Sequence, residues 1–308
     1  MSLEHDWNDV LERIKFINLK NERKIWTVGN QNKNIDVHLY AINYLKENQN
    51  RGDVSTVHEE MVEAVNSEFG RGNTIEGNRS LIMSKHLGLI KEYQPIETSN
   101  AYEKLNSINS SNGKEKFISN QAEKFYIKSG IGSNVNRHAE NNRTASIEFD
   151  IYPIFFLYDL IKKLTERGFP SGNLSKFEMD YFIIGSHDHN DIDICLQNII
   201  DYRLSHNRGY TQNEVEVFLK TSLTQEPDMY TIPDNRLFPF INLVKFFDIS
   251  SGKIVLLQEH QDQVFERLNK FKSLKDSGNL ISVYQENNTN YLRLLHSDLD
   301  LFEFHDNN

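Results

Sequence analysis

The segment IEFDIYPIFFLYDLIKKLTERG, residues 147–168, places the tightest limit on the fold. It reads as a strongly apolar helix, and such a helix has to bury much of its surface. Lys162 and Lys163 near its end, with Gly168 beyond, are helix-stop signals. Its longest apolar run, Ile151–Leu157, is far short of a bilayer span. A chain of 308 residues is long enough for two domains of ordinary size, or for one larger domain. Gly and Pro number only 15 and 6, which favours helices with short connections over a many-turned β-sandwich.

Upstream, Ile35–Asn48 carries Val37, Tyr40, Ala41, Tyr44 and Leu45 at helical spacing. A second helix follows with a Ser or Thr N-cap at Ser55 or Thr56, and Val57, Met61, Val62, Val65 and Phe69 on its apolar side. Gly70-Arg71-Gly72 breaks it. NTIEGNRSLIMSKHLGLIKEY, residues 73–93, then reads as a third helix with Asn73 and Glu76 in capping-box positions and Gly88 as its stop. Two short strands, Leu89–Tyr93 and Ile96–Thr98, flank a Gln94-Pro95 turn. Three helices followed by a small hairpin is the winged-helix arrangement, in which the third helix is presented to the DNA major groove.

Residues 105–146 are rich in Asn and Ser and read as an arm, partly helical and partly mobile. Beyond the apolar helix, NLSKFEMDYFII offers a Ser175–Glu178 capping box, and Asp191–Leu204 another helix. Asn235–Phe247 passes into DISSGKIVLL, again a helix end leading into a hairpin. ISVYQENNTNYLRLL, residues 281–295, reads as a strand pair before an acidic tail. The expected fold is mainly α with small β-hairpins, as two tandem winged-helix-like (helix-turn-helix) domains. Their bounds are 1–104 and 147–308, with 105–146 as a basic connector.

Net charge is −10, but residues 1–150 hold −2 of it and residues 151–308 hold −8. Residues 70–91 and 111–146 are each locally +3. A polyanion contact would therefore fall on the first half and the connector. In the third helix, Asn78 can bond adenine N6/N7 and Arg79 guanine O6/N7, each with two bonds. Arg71, Thr74 and Lys85 would lie near phosphates, as would Lys114, Lys116, Arg137 and Arg143 on the connector. The alternative is that Asn78 and Arg79 are solvated residues on an amphipathic helix.

Other chemistries find less support. The run His187–Asp193 is dense in metal ligands, but the preferred reading is a solvated loop whose Asp191 or Asn190 caps the next helix, so no metal site is assigned. Glu22-Arg23-Lys24 lies in a polar segment rather than on the apolar strand a PD-(D/E)xK centre needs. Cys195, the single cysteine, sits between Ile194 and Leu196 as a core residue, and it leaves no possibility of an intrachain disulfide. No phosphate-binding or serine-nucleophile motif is present. The N-terminal MSLEHDWNDVLERIKF lacks the apolar core of a secretory signal, so a cytoplasmic protein without membrane association is expected.

The order of segments resembles the N-terminal recognition half of the AlwI-type restriction and nicking endonucleases, and more distantly the FokI recognition domains. The residues that carry it are Trp26–Asn30 (WTVGN), GNRSLIMSKHLGLI, IYPIFFLYDLIKKL with NLSKFEMDYFII, and FPFINLVKFFDISSGKIVLL. Together they cover most of residues 26–260. The resemblance implies sequence-specific reading of an asymmetric site in double-stranded DNA, with cleavage at a distance by a Mg²⁺-dependent PD-(D/E)xK domain. No such centre is visible here, so this chain itself needs no cofactor, and catalytic residues stay unassigned. It would be a recognition subunit working with a catalytic partner, or a shortened or divergent member. A winged-helix transcription regulator and an interaction protein without a DNA role are the alternatives.

Overall fold

The computed structural model describes residues 3–20, 26, 34–70, 81–93, 95–127, 149–169, 173–205, 209–225, 237–249, 252–281 and 289–307. Its first helices are α1 (Leu3–Lys20), α2 (Ile35–Asn48), α3 (Val54–Phe69), α4 (Ile82–His86), α5 (Asn100–Ser107) and α6 (Ser111–Glu123). They are followed by α7 (Pro153–Glu166), α8 (Ile192–Arg203), α9 (Gln212–Thr224) and α10 (Leu237–Ile241). The last are α11 (Gln261–Asp276), α12 (Thr289–His296) and α13 (Leu301–Asp306). Strands β1 (Ile90–Tyr93) and β2 (Ile96–Thr98) form one antiparallel pair. Strands β3 (Leu174–Ser175), β4 (Phe247–Asp248) and β5 (Lys253–Leu256) form a second antiparallel sheet in the order β3-β5-β4. The described protein is thus mainly helical with two small antiparallel sheets. No helix among the described residues is long and apolar enough to cross a membrane.

The chain divides into two compact units, and the division is not the consecutive one that composition suggests. Unit 1 comprises Met1–Thr27, Tyr126–Asn235 and Phe246–Lys272; unit 2 comprises Val28–Phe125, Arg236–Lys245 and Ser273–Asn308.

Unit 1 is built on α7. Pro153 starts it at the position where a missing N–H costs nothing, and every residue from Pro153 to Ile161 is buried, as is Leu164. Phe155 stacks on Phe271 of α11 with ring centres 4.2 Å apart, and Phe156 meets Trp26 edge-on at 5.3 Å. Trp26 is fixed from both ends: its backbone N–H donates to the Ile184 carbonyl at 2.8 Å, and its Nε1 donates to the Ser186 carbonyl at 2.6 Å. The buried carboxylate of Asp159 accepts from Lys272 Nζ at 2.6 Å. Along α1, Trp7, Val10, Leu11, Ile14 and Ile17 are buried, and Arg13 donates to Asn198 (2.6 Å) and Asp201 (2.5 Å) of α8. The polar look of the N-terminal sequence hides this stripe.

The capping box at Ser175 and Glu178 forms as its spacing indicates: Glu178 N donates to Ser175 Oγ at 3.2 Å, and Ser175 N donates to Glu178 Oε2 at 2.7 Å. This leaves Glu178 almost buried, and Arg203 at the end of α8 supplies the opposite charge at 2.7 Å.

In unit 2, α2 and α3 pack side by side, with Val37, Ala41, Ile42 and Leu45 buried on the first and Val57, Met61 and Val65 on the second. The N-cap of α3 is Asp53 rather than a Ser or Thr. Its carboxylate accepts from the N–H and the hydroxyl of Ser55 (both 2.7 Å) and from the Thr56 hydroxyl (2.9 Å), which lowers its pKa. The first residues of the expected connector are well packed, because Phe117, Ile118, Gln121 and Ala122 make a buried stripe along α6. The expected C-terminal strand pair needs correction. Residues 289–296 are helical, with Tyr291, Leu294 and Leu295 buried at helical spacing; 282–288 lie outside the described residues.

Lys124 closes α6 and is fully buried. Its Nζ donates to the Ser297 carbonyl at 2.9 Å, Gln121 Nε2 donates to the same oxygen at 3.3 Å, and the Tyr291 hydroxyl donates to the Lys124 carbonyl at 3.2 Å. Burial pushes the Lys124 pKa down to about 7, against the opposing pull of Asp300, Asp298 and Glu303. The unfolded lysine keeps its proton up to about 10.5, so this group makes stability rise as pH climbs from about 7 towards 10.5. Lys124→Met should therefore raise the urea midpoint, and by more at pH 6 than at pH 10. A lower midpoint at pH 6 would show that the buried ammonium is a net stabiliser.

Candidate functional site

The expected third helix is described from Leu81 onward, and α4 is short. Leu81, Met83, Ser84 and His86 are buried, Ile82 is half-buried, and Lys85 is exposed. That settles which way the consecutive apolar residues face. His38 Nδ1 of α2 lies 3.0 Å from Ser84 Oγ in a buried polar contact, and the His86 ring packs edge-on against Phe125 with centres 5.2 Å apart. Each locks one side of α4.

The exit from α4 is governed by Gly88. Its φ is +67°, and its N–H donates to the Lys85 carbonyl at 2.9 Å while Leu89 N donates to the Ser84 carbonyl at 2.8 Å. These are the paired bonds of a Schellman turn, with glycine where the left-handed conformation is needed. A Cβ at this position would lie 2.0 Å from the backbone oxygen of Leu295. The Ser99 hydroxyl donates to the Gly88 carbonyl at 2.5 Å and accepts from Tyr102 N at 3.2 Å, tying the turn to the start of α5.

The chain then enters β1, paired with β2 in the register Ile90↔Thr98, Glu92↔Glu97 and Tyr93↔Ile96, with an irregularity after Ile90. Gln49, at the end of α2, accepts from Ile96 N at 2.8 Å and fixes the second strand to the helices. Sequence reasoning missed Ser99, His38 and Gln49, because nothing in a lone polar residue reports a long-range hydrogen bond.

Of the residues expected to touch DNA, Asn78, Arg79, Arg71, Thr74, Arg137 and Arg143 lie outside the described residues. Lys85 projects from α4 and Lys116 from α6, both exposed. Lys114 is half-buried, with Nζ 2.8 Å from Asp36 at the start of α2. Lys91 of β1 pairs with Glu97 of β2 at 3.0 Å. Pairs of this kind at the surface are weak.

A second polar cluster lies in unit 1. His187 Nδ1 is 2.7 Å from Asp191 Oδ2, and His187 Nε2 is 3.0 Å from Asp188 Oδ2. The ring and the Asp191 carboxylate are largely buried, so the loop is not the solvated one expected. Asp191 does not cap α8 with its side chain; it accepts from the backbone N–H of His187 at 2.9 Å instead. Asp188 caps the intervening turn through Asn190 N at 2.6 Å. Nearby, Asp150 N donates to the His187 carbonyl at 2.7 Å, and the Tyr126 hydroxyl donates to Asp150 Oδ1 at 2.7 Å.

The ligand atoms of His187, Asp188 and Asp191 all lie within 4.8 Å of one another. One imidazole and two carboxylates is a donor set that can hold a divalent ion, but in the arrangement present both ring nitrogens already face a carboxylate. Burial opposes a charge on His187, yet its hydrogen bonds to Asp188 and Asp191 and their negative charges outweigh it and raise its pKa to about 9. Cys195 is equally closed: buried, 3.0 Å from the Ser186 hydroxyl, its pKa pushed by burial up to about 12.

Two outcomes follow from this geometry. Gly88→Ala should lower unfolding free energy by more than about 2 kcal/mol in chemical denaturation, through left-handed strain and the clash together; a change within experimental error would mean that the turn relaxes freely. The stability His187 contributes should be complete below its unfolded pKa of 6.5 and lost as pH rises through about 9. His187→Asn should flatten that decline between pH 6.5 and 9, measured as midpoint against pH.

No protein-family pattern matches this chain, and no curated protein matches it.

Proposed function

We propose that this chain is a sequence-specific reader of double-stranded DNA, the recognition part of a restriction endonuclease of type IIS character, with cleavage supplied by a separate PD-(D/E)xK domain. The observation that carries the proposal is the succession α2, α3, α4 and the β1–β2 hairpin, with α4 buried on one side and Lys85 projecting from the other. That succession has the element order of a winged helix, in which α4 would take the place of the groove-reading helix.

In this reading Asn78 and Arg79 contact base edges, and Arg71, Thr74 and Lys85 contact phosphates. Lys114, Lys116, Arg137 and Arg143 follow the backbone and give binding its salt dependence. Mg²⁺ belongs to the catalytic partner. The protein's overall negative charge would hold non-specific association down and leave selectivity to the locally basic segments.

Selection from random duplexes followed by gel shift tests the proposal. The expected result is an enriched asymmetric site bound in a salt-sensitive way. Arg79→Ala should relax preference at one base pair by about 1–3 kcal/mol. Lys116→Ala should weaken all sequences alike and reduce the salt slope by about 1. A palindromic footprint would point to a dimeric regulator instead, and absence of any selectable site would remove the DNA role.

A further inference from the structure

In unit 1, Nε2 of His187 and Oδ2 of Asp188 stand 3.0 Å apart, and both side chains keep some exposure to solvent. Two protein atoms bound to one ion at about 2.1 Å, on adjacent coordination positions, lie about 3.0–3.4 Å from each other. The separation therefore suits a shared ion as well as it suits a hydrogen bond. The other edge of the ring is already held. Asp191 Oδ2 is 2.7 Å from Nδ1, and the same oxygen accepts from the His187 backbone N–H at 2.9 Å. A buried carboxylate at Nδ1 keeps the proton on that nitrogen, fixes the ring and leaves Nε2 as the ligand, the usual arrangement behind a metal-bound histidine.

The backbone brings a further carboxylate alongside. Asp150 and Asp188 are partners in an isolated parallel bridge, with Asp150 N donating to the His187 carbonyl at 2.7 Å. Residues paired in this way send their side chains to the same side, and like charges set directly opposite are destabilising. A cation beside them removes that cost. The Tyr126 hydroxyl holds Asp150 Oδ1 at 2.7 Å, while Asp150 Oδ2 has no hydrogen-bond partner among the described residues.

We propose that His187 Nε2, Asp188 and Asp150 bind one divalent transition-metal ion, with Asp191 and Tyr126 holding the ligands in place and water completing the shell. The ion takes the place of the Nε2 proton, which passes to solvent. Imidazole together with carboxylates suits Zn²⁺ or Mn²⁺, whereas Mg²⁺ and Ca²⁺ take oxygen ligands. The ion ties the turn before α8 to the segment entering α7, and so clamps unit 1 from within. The proposal does not rest on DNA binding.

The test titrates Zn²⁺ into the full chain, ¹⁵N-labelled and first stripped of metal with a chelator that is then dialysed away. One ion should bind per chain, with the Nε2 signal of His187 moving to that of a ligated nitrogen while Nδ1 keeps its proton. About a hundredfold excess of Mg²⁺ should not displace it. Asp188→Asn and Asp150→Asn should each weaken binding at least about tenfold, and Asp191→Asn by about 10–100-fold through loss of the ring's support. Zn²⁺ should raise the urea midpoint of the wild-type protein and leave that of Asp188→Asn unmoved. The nitrogen signals are read on the wild-type chain, so they decide the matter even where a variant fails to fold. No saturable binding, ligation that bypasses His187, displacement by Mg²⁺, or undiminished affinity in folded Asp188→Asn or Asp150→Asn would each overturn the proposal.

Discussion

Unit 1 depends on enclosing one helix. With every residue of Pro153–Ile161 buried, α7 contributes a row of aliphatic and aromatic side chains, each worth about 1.5–3 kcal/mol when removed from water. Nothing inside the helix can satisfy that demand, so the neighbours must. Trp26, Phe271 and the Phe246–Phe247 pair meet it with rings, which cover much area for little side-chain entropy. The cost of this enclosure is that Asp159 is carried inward, and Lys272 of α11 neutralises it. α7 therefore fixes both the apolar and the charged composition of what surrounds it.

How far the sequence foretold the fold depended on the range of the interaction. The Ser175–Glu178 box, the Gly88 stop and the β2 strand were legible because their partners lie within a few residues. The α1 and α6 stripes were harder, since Asn, Asp, Glu and Lys between the buried positions mask a regular pattern. In α12 the β-like reading of YLRLL gave way to helical burial of Tyr291, Leu294 and Leu295. There tertiary burial, not local preference, decided the element. Lys124 was read as part of the helical stretch of a basic connector; its burial depends on Ser297 and Tyr291, more than 160 residues away.

The candidate site divides in the same way. The order of α2, α3, α4 and the β1–β2 hairpin could be read from spacing and composition, while the contacts that hold α4 in place could not. His38 with Ser84, Ser99 with Gly88, and Gln49 with Ile96 each join residues distant in sequence through a single polar atom. The His187 loop shows the converse limit. Its density of ligands was obvious, but whether those ligands face water, a cation or each other is a matter of geometry, and here the imidazole is bracketed by two carboxylates.

At residue 88 the chain has no room for variation. Backbone sign and steric clearance both exclude a side chain there, while Lys85 one turn earlier is an exposed residue. A lineage of such proteins can therefore exchange the outward residues of this helix freely while the angle at which it hands over to the hairpin stays constant. The fold separates what can drift from what must not, and places the boundary between them three residues apart.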